Sequence, residues 1–391
     1  MKLMKKVAAL AMATTMIVAS LAGCGGSSDK GGSSEAADTF KIGAIGPITG
    51  GAAVYGQAVK NGAEMAINEI NEAGGINGFQ VEYNFQDDEH DAEKSVNAYN
   101  TLKDWGMQLL LGTVTSAPCI AVSQETANDN MMQITPSATA VESIAPENAF
   151  RVCFSDPNQG IVSAQYINDT NMAKKVAVIY DSSDPYSSGI YQKFAETAAS
   201  CNFEIVAAEA FTADNRTDFS VQLQKAKDAG ADLVFMPFYY TEASLVLKQA
   251  AGMDFHPTFF GVDGMDGILD VENFDASLAE GLVFLAPFCS TSTDETIKTF
   301  VDNYKEKYGE VPNQFAADAY DGIYILKQAM EAAEVTPDMS VSDICEAVKA
   351  QMTQITYAGV TSKEMTWGAD GEPVKAPMVL KIHDGAYTEM E

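Results

Sequence analysis

The chain has few of the side chains that most catalytic and nucleic-acid-binding sites use. Its 391 residues include 3 histidines and 24 lysines and arginines, against 54 aspartates and glutamates. The formal net charge of −30 at pH 7 repels nucleic acid and anionic lipid headgroups. The sequence also lacks the motifs G-x-S-x-G, H-E-x-x-H and G-x-x-x-x-G-K-[ST], which are typical of hydrolases, zinc peptidases and nucleotide-binding loops. We therefore expect no enzyme activity, no cofactor and no nucleic-acid partner.

Metal-binding and disulfide patterns are also weak. Five cysteines besides Cys24 are widely spaced and form no C-x-x-C pair, which predicts neither a zinc site nor a disulfide framework and leaves any pairing open. The acidic run 87–91 contains His90 and could hold a metal ion. It follows a predicted strand and precedes a predicted helix, however, which favours Asp91 as a helix N-cap. We predict no metal site.

The N-terminus has the features of an export signal. Lys2, Lys5 and Lys6 form a basic start, and residues 7–19 are apolar apart from two threonines. This apolar run is too short to span a bilayer, which needs about 20 residues. The segment is therefore predicted to be a signal peptide and not a transmembrane helix.

A lipid anchor is predicted directly after this signal. The sequence Leu21-Ala22-Gly23-Cys24 resembles the lipobox of bacterial lipoproteins, which implies lipid attachment at Cys24; an ordinary signal with a chance cysteine is the alternative. Residues 25–35 are almost entirely glycine, serine and charged residues, as in a flexible linker. We expect a signal peptide at 1–23, a tether at 24–38, and a protein held at the outer face of the cytoplasmic membrane.

From residue 40 onward, short β-like runs alternate with amphipathic helical runs. One series fills 40–135, and a second begins after Pro157 and continues to 285. Such alternation is typical of βαβ units with mostly parallel sheets, and two series predict two doubly wound lobes. The later predicted elements are helices at 294–308, 315–333 and 341–352 and a strand at 378–382.

The loops that follow the predicted strands are the candidate binding site, because open parallel sheets bind ligands outside the carboxyl ends of their strands. These loops are rich in serine, threonine, tyrosine and aspartate, and contain almost no lysine or arginine. They are residues 46–50, 112–118, 135–139, 181–186, 238–242 and 261–264.

Several short motifs occur in the order and spacing of a known family. With them the chain, from about Thr39 to its end, resembles the periplasmic leucine/isoleucine/valine-binding proteins, which are the solute receptors of ABC importers. The motifs are Gly46-Pro47-Ile48-Thr49-Gly50, Val54-Tyr55-Gly56, Ala73-Gly74-Gly75-Ile76-Asn77-Gly78, Gln86-Asp87-Asp88, Ile134-Thr135-Pro136-Ser137-Ala138-Thr139, Ala319-Tyr320-Asp321-Gly322 and Gly368-Ala369-Asp370-Gly371.

This resemblance implies the α/β fold of type I periplasmic binding proteins, with two doubly wound lobes joined by a three-segment hinge. Lobe 1 would comprise 39–156 and 288–373, and lobe 2 would comprise 157–287 and 374–391. The resemblance further implies a monomer that needs no cofactor, binds an amino acid between its lobes and contacts the permease subunits of an importer.

The same resemblance assigns residues to the polar end of the ligand. Ser116 and the loop residues Ser137, Ala138 and Thr139 would hold the zwitterion, and a helix N-terminus at Ser116 suits a carboxylate. Asp263 stands where the family has an acid for the ammonium group, although some relatives have the longer glutamate there.

The remaining assignments concern the side chain of the ligand. Tyr186 and Tyr239 would close over the ligand from lobe 2. The side-chain pocket would be lined by Tyr55, Val114, Thr115 and Tyr239. The absence of a basic group in this set favours a neutral, branched or apolar amino acid. A receptor for an amide, urea or a small organic or aromatic acid stays an alternative, as does the ligand-binding part of an extracellular sensor.

Several of these residues also have a structural explanation. Ser116 would cap its helix, and Thr139 would satisfy the polar groups of its loop. Asp263 would form an Asx-turn before Gly264, and Tyr239 would fill the core. Sequence alone does not decide between the two roles.

Overall fold

Strands of this protein form where the sequence has short, buried, apolar runs. A computed structural model describes residues 39–390; the predicted signal peptide, the tether and Cys24 lie outside the described residues. The strands of the described part are β1 (Thr39–Gly46), β2 (Gln80–Asp87), β3 (Leu109–Gly112), β4 (Met132–Thr135), β5 (Ala149–Arg151), β6 (Lys175–Asp181), β7 (Glu204–Phe211), β8 (Leu233–Met236), β9 (Thr258–Gly261), β10 (Val283–Ala286), β11 (Met378–His383) and β12 (Ala386–Glu389).

Helices occupy the amphipathic runs between the strands, and one of them begins at the N-cap that the sequence indicates. Asp91 accepts a hydrogen bond from the Lys94 N–H at 2.8 Å, which confirms it as an N-cap. The helices of the described part are α1 (Ala53–Glu72), α2 (Ala92–Trp105), α3 (Ser116–Asp129), α4 (Asp156–Asp169), α5 (Pro185–Ala198), α6 (Ser220–Asp228), α7 (Tyr240–Gly252), α8 (Glu295–Tyr308), α9 (Gln314–Ala332) and α10 (Val341–Met352).

The strands form two separate sheets. The first has the order β2-β1-β3-β4-β5, with all its strands parallel. The second has the order β12-β11-β10-β9-β8-β6-β7; β6 to β10 are parallel, while β11 and β12 are antiparallel additions at one edge. We call the first sheet with its helices lobe 1 and the second lobe 2.

The chain passes between the lobes three times. It leaves lobe 1 between β5 and α4, and returns between β10 and α8, because α9 packs against α1 and α10 against β4. It crosses again before β11, which pairs with β10 in lobe 2. The predicted fold class of two doubly wound lobes joined by three segments is confirmed, while the boundaries at 156, 288 and 373 stay predictions.

Two short strands, β5 and β12, were not predicted from the sequence. β5 has three residues and β12 has four, too few for a clear alternating pattern. Helix α1 ends at Glu72, and Gly75 takes a left-handed φ of 83°. A Cβ at Gly75 would lie 1.9 Å from the Phe79 carbonyl oxygen, so only glycine fits this turn.

The described part of the chain has neither a disulfide bond nor a helix suited to crossing a membrane. The five described cysteines are free thiols; four are buried and Cys201 is partly exposed. Among residues 39–390, none of the helices has both the length and the apolar character that crossing a bilayer requires.

Candidate functional site

A small cavity lies between the two lobes, at the carboxyl ends of strands from both sheets. Its volume of about 10 Å³ is near the size that holds one water molecule. Lobe 1 contributes Tyr55, Val114, Thr115, Ser116, Ser137 and Phe315 to its wall, and lobe 2 contributes Tyr186, Tyr239, Asp263 and Gly264. We call this space the interlobe cavity.

The start of helix α3 forms the polar wall of lobe 1. The first backbone bond of this helix runs from the Cys119 N–H to the Thr115 carbonyl, so the N–H groups of Ser116 and Ala117 have no acceptor within the helix. The Ser116 hydroxyl oxygen accepts a bond from the Ala140 N–H at 3.2 Å. Such a helix start, next to a hydroxyl, favours an anionic group in the cavity.

The loop 137–140 beside α3 is held in place by a fully buried arginine. Arg151 donates to the carbonyls of Ala138, Thr139 and Ala140, at 3.1, 2.5 and 3.0 Å. Ser137 donates its hydroxyl to the Val114 carbonyl at 2.7 Å, which joins the loop to the strand end beside it. These bonds turn the carbonyls of the loop toward Arg151 and fix its backbone.

Two tyrosines and an aspartate form the opposite wall, in lobe 2. The rings of Tyr186 and Tyr239 stack at 4.7 Å with an interplanar angle of 3°. Tyr186 donates its hydroxyl to Asp263 Oδ1 at 2.6 Å and accepts from the Gly264 N–H at 3.0 Å. The Asp263 N–H donates to Gln159 Oε1 at 3.0 Å. Tyr186 uses one acceptor position of the Asp263 carboxylate, which keeps further lone pairs that can accept from a cation.

Burial raises the pKa of several carboxyl groups around the cavity. Loss of hydration raises the pKa of Asp263 to about 6, against the lowering effect of its bond from Tyr186. Burial likewise raises the pKa of Asp184 to about 7 and that of Asp156 well above its ordinary value. None of the ten wall residues is a lysine or arginine, so the wall itself supplies no positive charge to Asp263. A cationic group of a ligand would attract the carboxylate and favour its charged form.

Tyr55 connects the lobes on the apolar side of the cavity. Its hydroxyl donates to the Gly264 carbonyl of lobe 2 at 2.6 Å and accepts from the Tyr240 N–H at 3.3 Å. The Thr241 hydroxyl also donates across the cleft, to the Gly51 carbonyl at 2.6 Å. The lobes are thus in contact around the cavity, and a molecule larger than water needs them to separate before it can enter.

The structure brings eight of the ten predicted ligand-binding residues into the cavity wall. Two of them make further contacts: the Thr115 hydroxyl oxygen lies 2.8 Å from His90 Nδ1, and Tyr55 of lobe 1 bonds to Gly264 of lobe 2. Ala138 and Thr139 are fully buried but do not line the cavity. The ligand-binding roles of all ten stay predictions.

Phe315 is the cavity residue that sequence reasoning missed. It lies in the first turn of α9, and its ring centroid is 4.1 Å from that of Tyr55. Phe315 belongs neither to a loop after a strand nor to one of the family motifs, because α9 brings it to the cavity from a helix start. The signal was present in Asn313, whose side chain caps α9 and thus marks its first turn.

No metal site is apparent at the cavity. Within residues 39–390, the one group of metal-ligand side chains close enough to share an ion is Glu280, His383 and Asp384, all exposed at an edge of lobe 2. His90 of the acidic run 87–91 instead bonds to Thr115, and burial lowers the pKa of its ring to about 4.

Comparisons with known proteins agree with this geometry. The sequence profile of the family described as periplasmic binding protein matches residues 39–386. The leucine-, isoleucine-, valine-, threonine- and alanine-binding protein of Pseudomonas aeruginosa is 31% identical over 320 residues, which are 81% of this chain and 84% of the relative.

Solved structures give the same result. LivJ of Streptococcus pneumoniae, a branched-chain amino acid transporter substrate binding protein solved with isoleucine, is 30% identical, with a TM-score of 0.80 over 90% of this chain and 100% of LivJ. The leucine binding protein LivK of Thermotoga maritima is 25% identical, with a TM-score of 0.79 over 90% of this chain and 98% of LivK. The chain therefore belongs to the periplasmic binding protein family.

Proposed function

We propose that this protein is the extracellular receptor of an ABC importer and captures a neutral amino acid, branched or apolar, in the interlobe cavity. One observation carries the proposal: a carboxylate in lobe 2 faces a helix start in lobe 1 across a wall that is otherwise aromatic, aliphatic or hydroxylic. The α-ammonium and α-carboxylate of an amino acid are the groups that these two ends would bind.

The charge pattern of the wall supports a zwitterion in preference to a simple acid. Asp263 would pair with the ammonium, and the N–H groups at the start of α3, with Ser116, would bind the carboxylate. A ligand that is only anionic would meet the negative charge of Asp263 and no basic side chain among the wall residues.

The apolar part of the wall supports a neutral side chain. Tyr55, Val114 and Phe315 provide apolar surface, and Asp263 is the only acidic residue of the wall. A charged ligand side chain would lose its hydration in this space without gaining a partner, which is costly.

Binding requires movement of the lobes about their three connections, because the closed cavity holds no more than a water molecule. We take the lobe boundaries near 156, 288 and 373 as the hinge. The closed, ligand-bound form would be the one presented to the permease.

A ligand screen tests the function. Thermal shift with the common L-amino acids, benzoate, urea and acetamide should show the largest stabilisation with leucine, isoleucine or valine. At a ligand concentration 100 times the dissociation constant, the stabilisation should be about 2.7 kcal/mol.

The radius of gyration from X-ray scattering should fall with the same ligand, because the lobes close. Stabilisation by benzoate, urea or acetamide without any by amino acids would contradict the proposal and favour the alternative receptors.

We also propose that the lipid on Cys24 anchors the protein to the outer face of the membrane. The support is the sequence Leu21-Ala22-Gly23-Cys24 with the glycine- and serine-rich stretch after it. Cys24→Ala should release the protein from the membrane fraction, whereas Cys201→Ala, which removes a partly exposed thiol, should not. Equal partition of Cys24→Ala and wild type into membranes would contradict the anchor.

A further inference from the structure

A second space lies between the lobes, directly beside the interlobe cavity. Its volume is about 100 Å³, and Tyr239 lines both spaces. Its wall includes His90 of lobe 1 and, from lobe 2, the exposed residues Ser183 and Ala213, so it reaches the surface of the protein. None of its lining residues belongs to the three segments by which the chain passes between the lobes. We call this space the cleft mouth.

His90 lies at the cleft mouth and contacts two residues of the cavity wall. Its Nδ1 is 2.8 Å from Thr115 Oγ1, within lobe 1. Its ring centroid is 5.4 Å from that of Tyr239 in lobe 2, with an interplanar angle of 85°. This edge-to-face arrangement is one that aromatic rings prefer. Because the two rings belong to different lobes, their contact exists only while the lobes are closed.

The acidic run 87–91 holds His90 in this position. Asp88 is fully buried, and its Oδ1 accepts the His90 N–H at 2.9 Å. Asp87 accepts a backbone N–H of the loop after β1 at 3.0 Å, and Asp91 caps α2. His90 itself has a left-handed φ of 61°. The run thus forms a braced turn that presents an imidazole ring at the cleft.

We propose that His90 and Tyr239 form a gate at the cleft mouth, and that their ring contact slows release of the ligand. Tyr239 separates the cavity from the mouth, so a ligand that leaves on this side has to part the two rings. His90 is also a positioning residue, because its bond to Thr115 holds a wall residue in place. The inference rests on the proposed function, since it presupposes a ligand in the interlobe cavity.

The gate acts on the dissociation rate more than on the association rate. The ring contact forms after the ligand has entered the open cleft, so its loss leaves entry unchanged and makes reopening easier. A purely structural role of His90 in its turn has other consequences. Loss of that role would lower the melting temperature of the ligand-free protein, and the effect would not depend on Tyr239.

The test compares His90→Asn with wild type at neutral pH. A chase of radiolabelled L-leucine with unlabelled L-leucine gives the dissociation rate constant, and calorimetric titration gives the dissociation constant. We expect the dissociation rate constant to rise about 3- to 10-fold, as for loss of one aromatic pair, and the association rate constant to stay within about twofold of wild type. Asparagine tolerates the left-handed φ, so the melting temperature of the ligand-free variant should stay as in wild type.

Three further variants make the result specific to the ring contact. His90→Phe keeps a ring and should restore the dissociation rate to within about twofold of wild type. In a Tyr239→Leu background, His90→Asn should change that rate by less than about twofold, because the contact is already absent. His256→Asn is the matched control, since His256 is exposed and bonds to Asp254, and it should behave as wild type. His90→Gly, which also suits this φ, replaces His90→Asn if that variant does not fold.

The contrary outcomes are distinct. A dissociation rate constant of His90→Asn within about twofold of wild type would overturn the gate, as would an equal effect of His90→Asn with and without Tyr239. Failure of His90→Phe to restore slow release would overturn the ring contact as its cause. All three leave the receptor function intact, because leucine still binds. A wild-type protein that binds none of leucine, isoleucine and valine would instead overturn the proposed function.

Discussion

Asp263 is the side chain whose environment constrains function most tightly. It is 5% exposed, it accepts the Tyr186 hydroxyl, and its backbone carbonyl accepts a bond from the Gln314 side-chain amide of lobe 1. One residue thus joins a wall tyrosine, a helix of the other lobe and the expected ammonium. These contacts fix the position of the Asp263 carboxylate, whose side chain is shorter than the glutamate of some relatives.

Removal of this carboxylate should weaken amino-acid binding strongly. Asp263→Ala should cost about 2–5 kcal/mol of binding free energy, because it leaves a buried ammonium without its partner. This corresponds to a rise of about 30-fold or more in the dissociation constant by calorimetric titration. Glu272→Ala, which removes an exposed acid from the same lobe, is the control and should bind as wild type does. Affinity of Asp263→Ala within about threefold of wild type would mean that no ammonium lies at this place.

The pKa of Asp263 also predicts how binding depends on pH. An ammonium ligand requires the ionised carboxylate, and the pKa of the ligand-free protein is about 6. Below that value a proton must be lost before the ligand can bind, so affinity falls as pH falls. At about pH 5 we expect roughly tenfold weaker binding than at about pH 7.5. Equal affinity at the two pH values would show that the pKa of Asp263 lies outside this pH range or that Asp263 does not contact the ligand.

At the scale of secondary structure, the packing of α1 against α9 sets the apolar side of the cavity. Tyr55 comes from α1 and Phe315 from α9, and their rings are 4.1 Å apart. The helices approach closely at Gly62, where a Cβ would lie 2.1 Å from the Ala316 carbonyl oxygen. A side chain at Gly62 therefore has to push α9, and with it Phe315, away from α1.

Gly62→Ala should destabilise the protein in spite of the better helix propensity of alanine. The propensity gain is about 1 kcal/mol, whereas overpacking against backbone costs about 1–3 kcal/mol and reduces ligand affinity as well. Gly252→Ala is a matched control, because it also lies in a helix but has no atom within 4 Å of the added Cβ. A melting temperature of Gly62→Ala equal to or above that of wild type would contradict the close packing.

The elements that sequence predicts well are those with a strong local pattern. Helices α8, α9 and α10 and strand β11 were predicted to within one residue at each end. The loops after the predicted strands contain Ser116, Tyr239 and Asp263 of the cavity. β5 and β12 are too short for a pattern. Phe315 enters the cavity because α9 returns to lobe 1 after a crossover, which depends on contacts distant in sequence.

For the whole molecule, the distribution of acids decides the dependence of stability on pH. Burial raises the pKa values of Asp88, Asp184 and Asp266 to about 7 and that of Asp263 to about 6. The folded state therefore holds protons that the unfolded state releases once the pH exceeds the ordinary aspartate value near 3.8. Stability from these groups is greatest at low pH and is lost as pH rises through 6 to 7.

The ligand-free protein should accordingly be more stable at about pH 5 than at about pH 8, with a melting temperature higher by about 4 °C or more. Scanning calorimetry at constant ionic strength measures this difference. Asp88→Asn, which removes one buried acid of lobe 1, should reduce it. A melting temperature that rises from about pH 5 to about pH 8 would contradict the raised pKa values.

The position of β11 and β12 has a consequence for biosynthesis. Three helices of lobe 1 lie between β10 and β11 in the chain, yet β11 is the neighbour of β10 in the sheet of lobe 2. When the chain is delivered N-terminus first, by a ribosome or an export channel, β10 stays an open edge until β11 emerges. Lobe 2 thus cannot complete its sheet until β11 and β12 have emerged, so its final folding comes after the synthesis of the three lobe 1 helices.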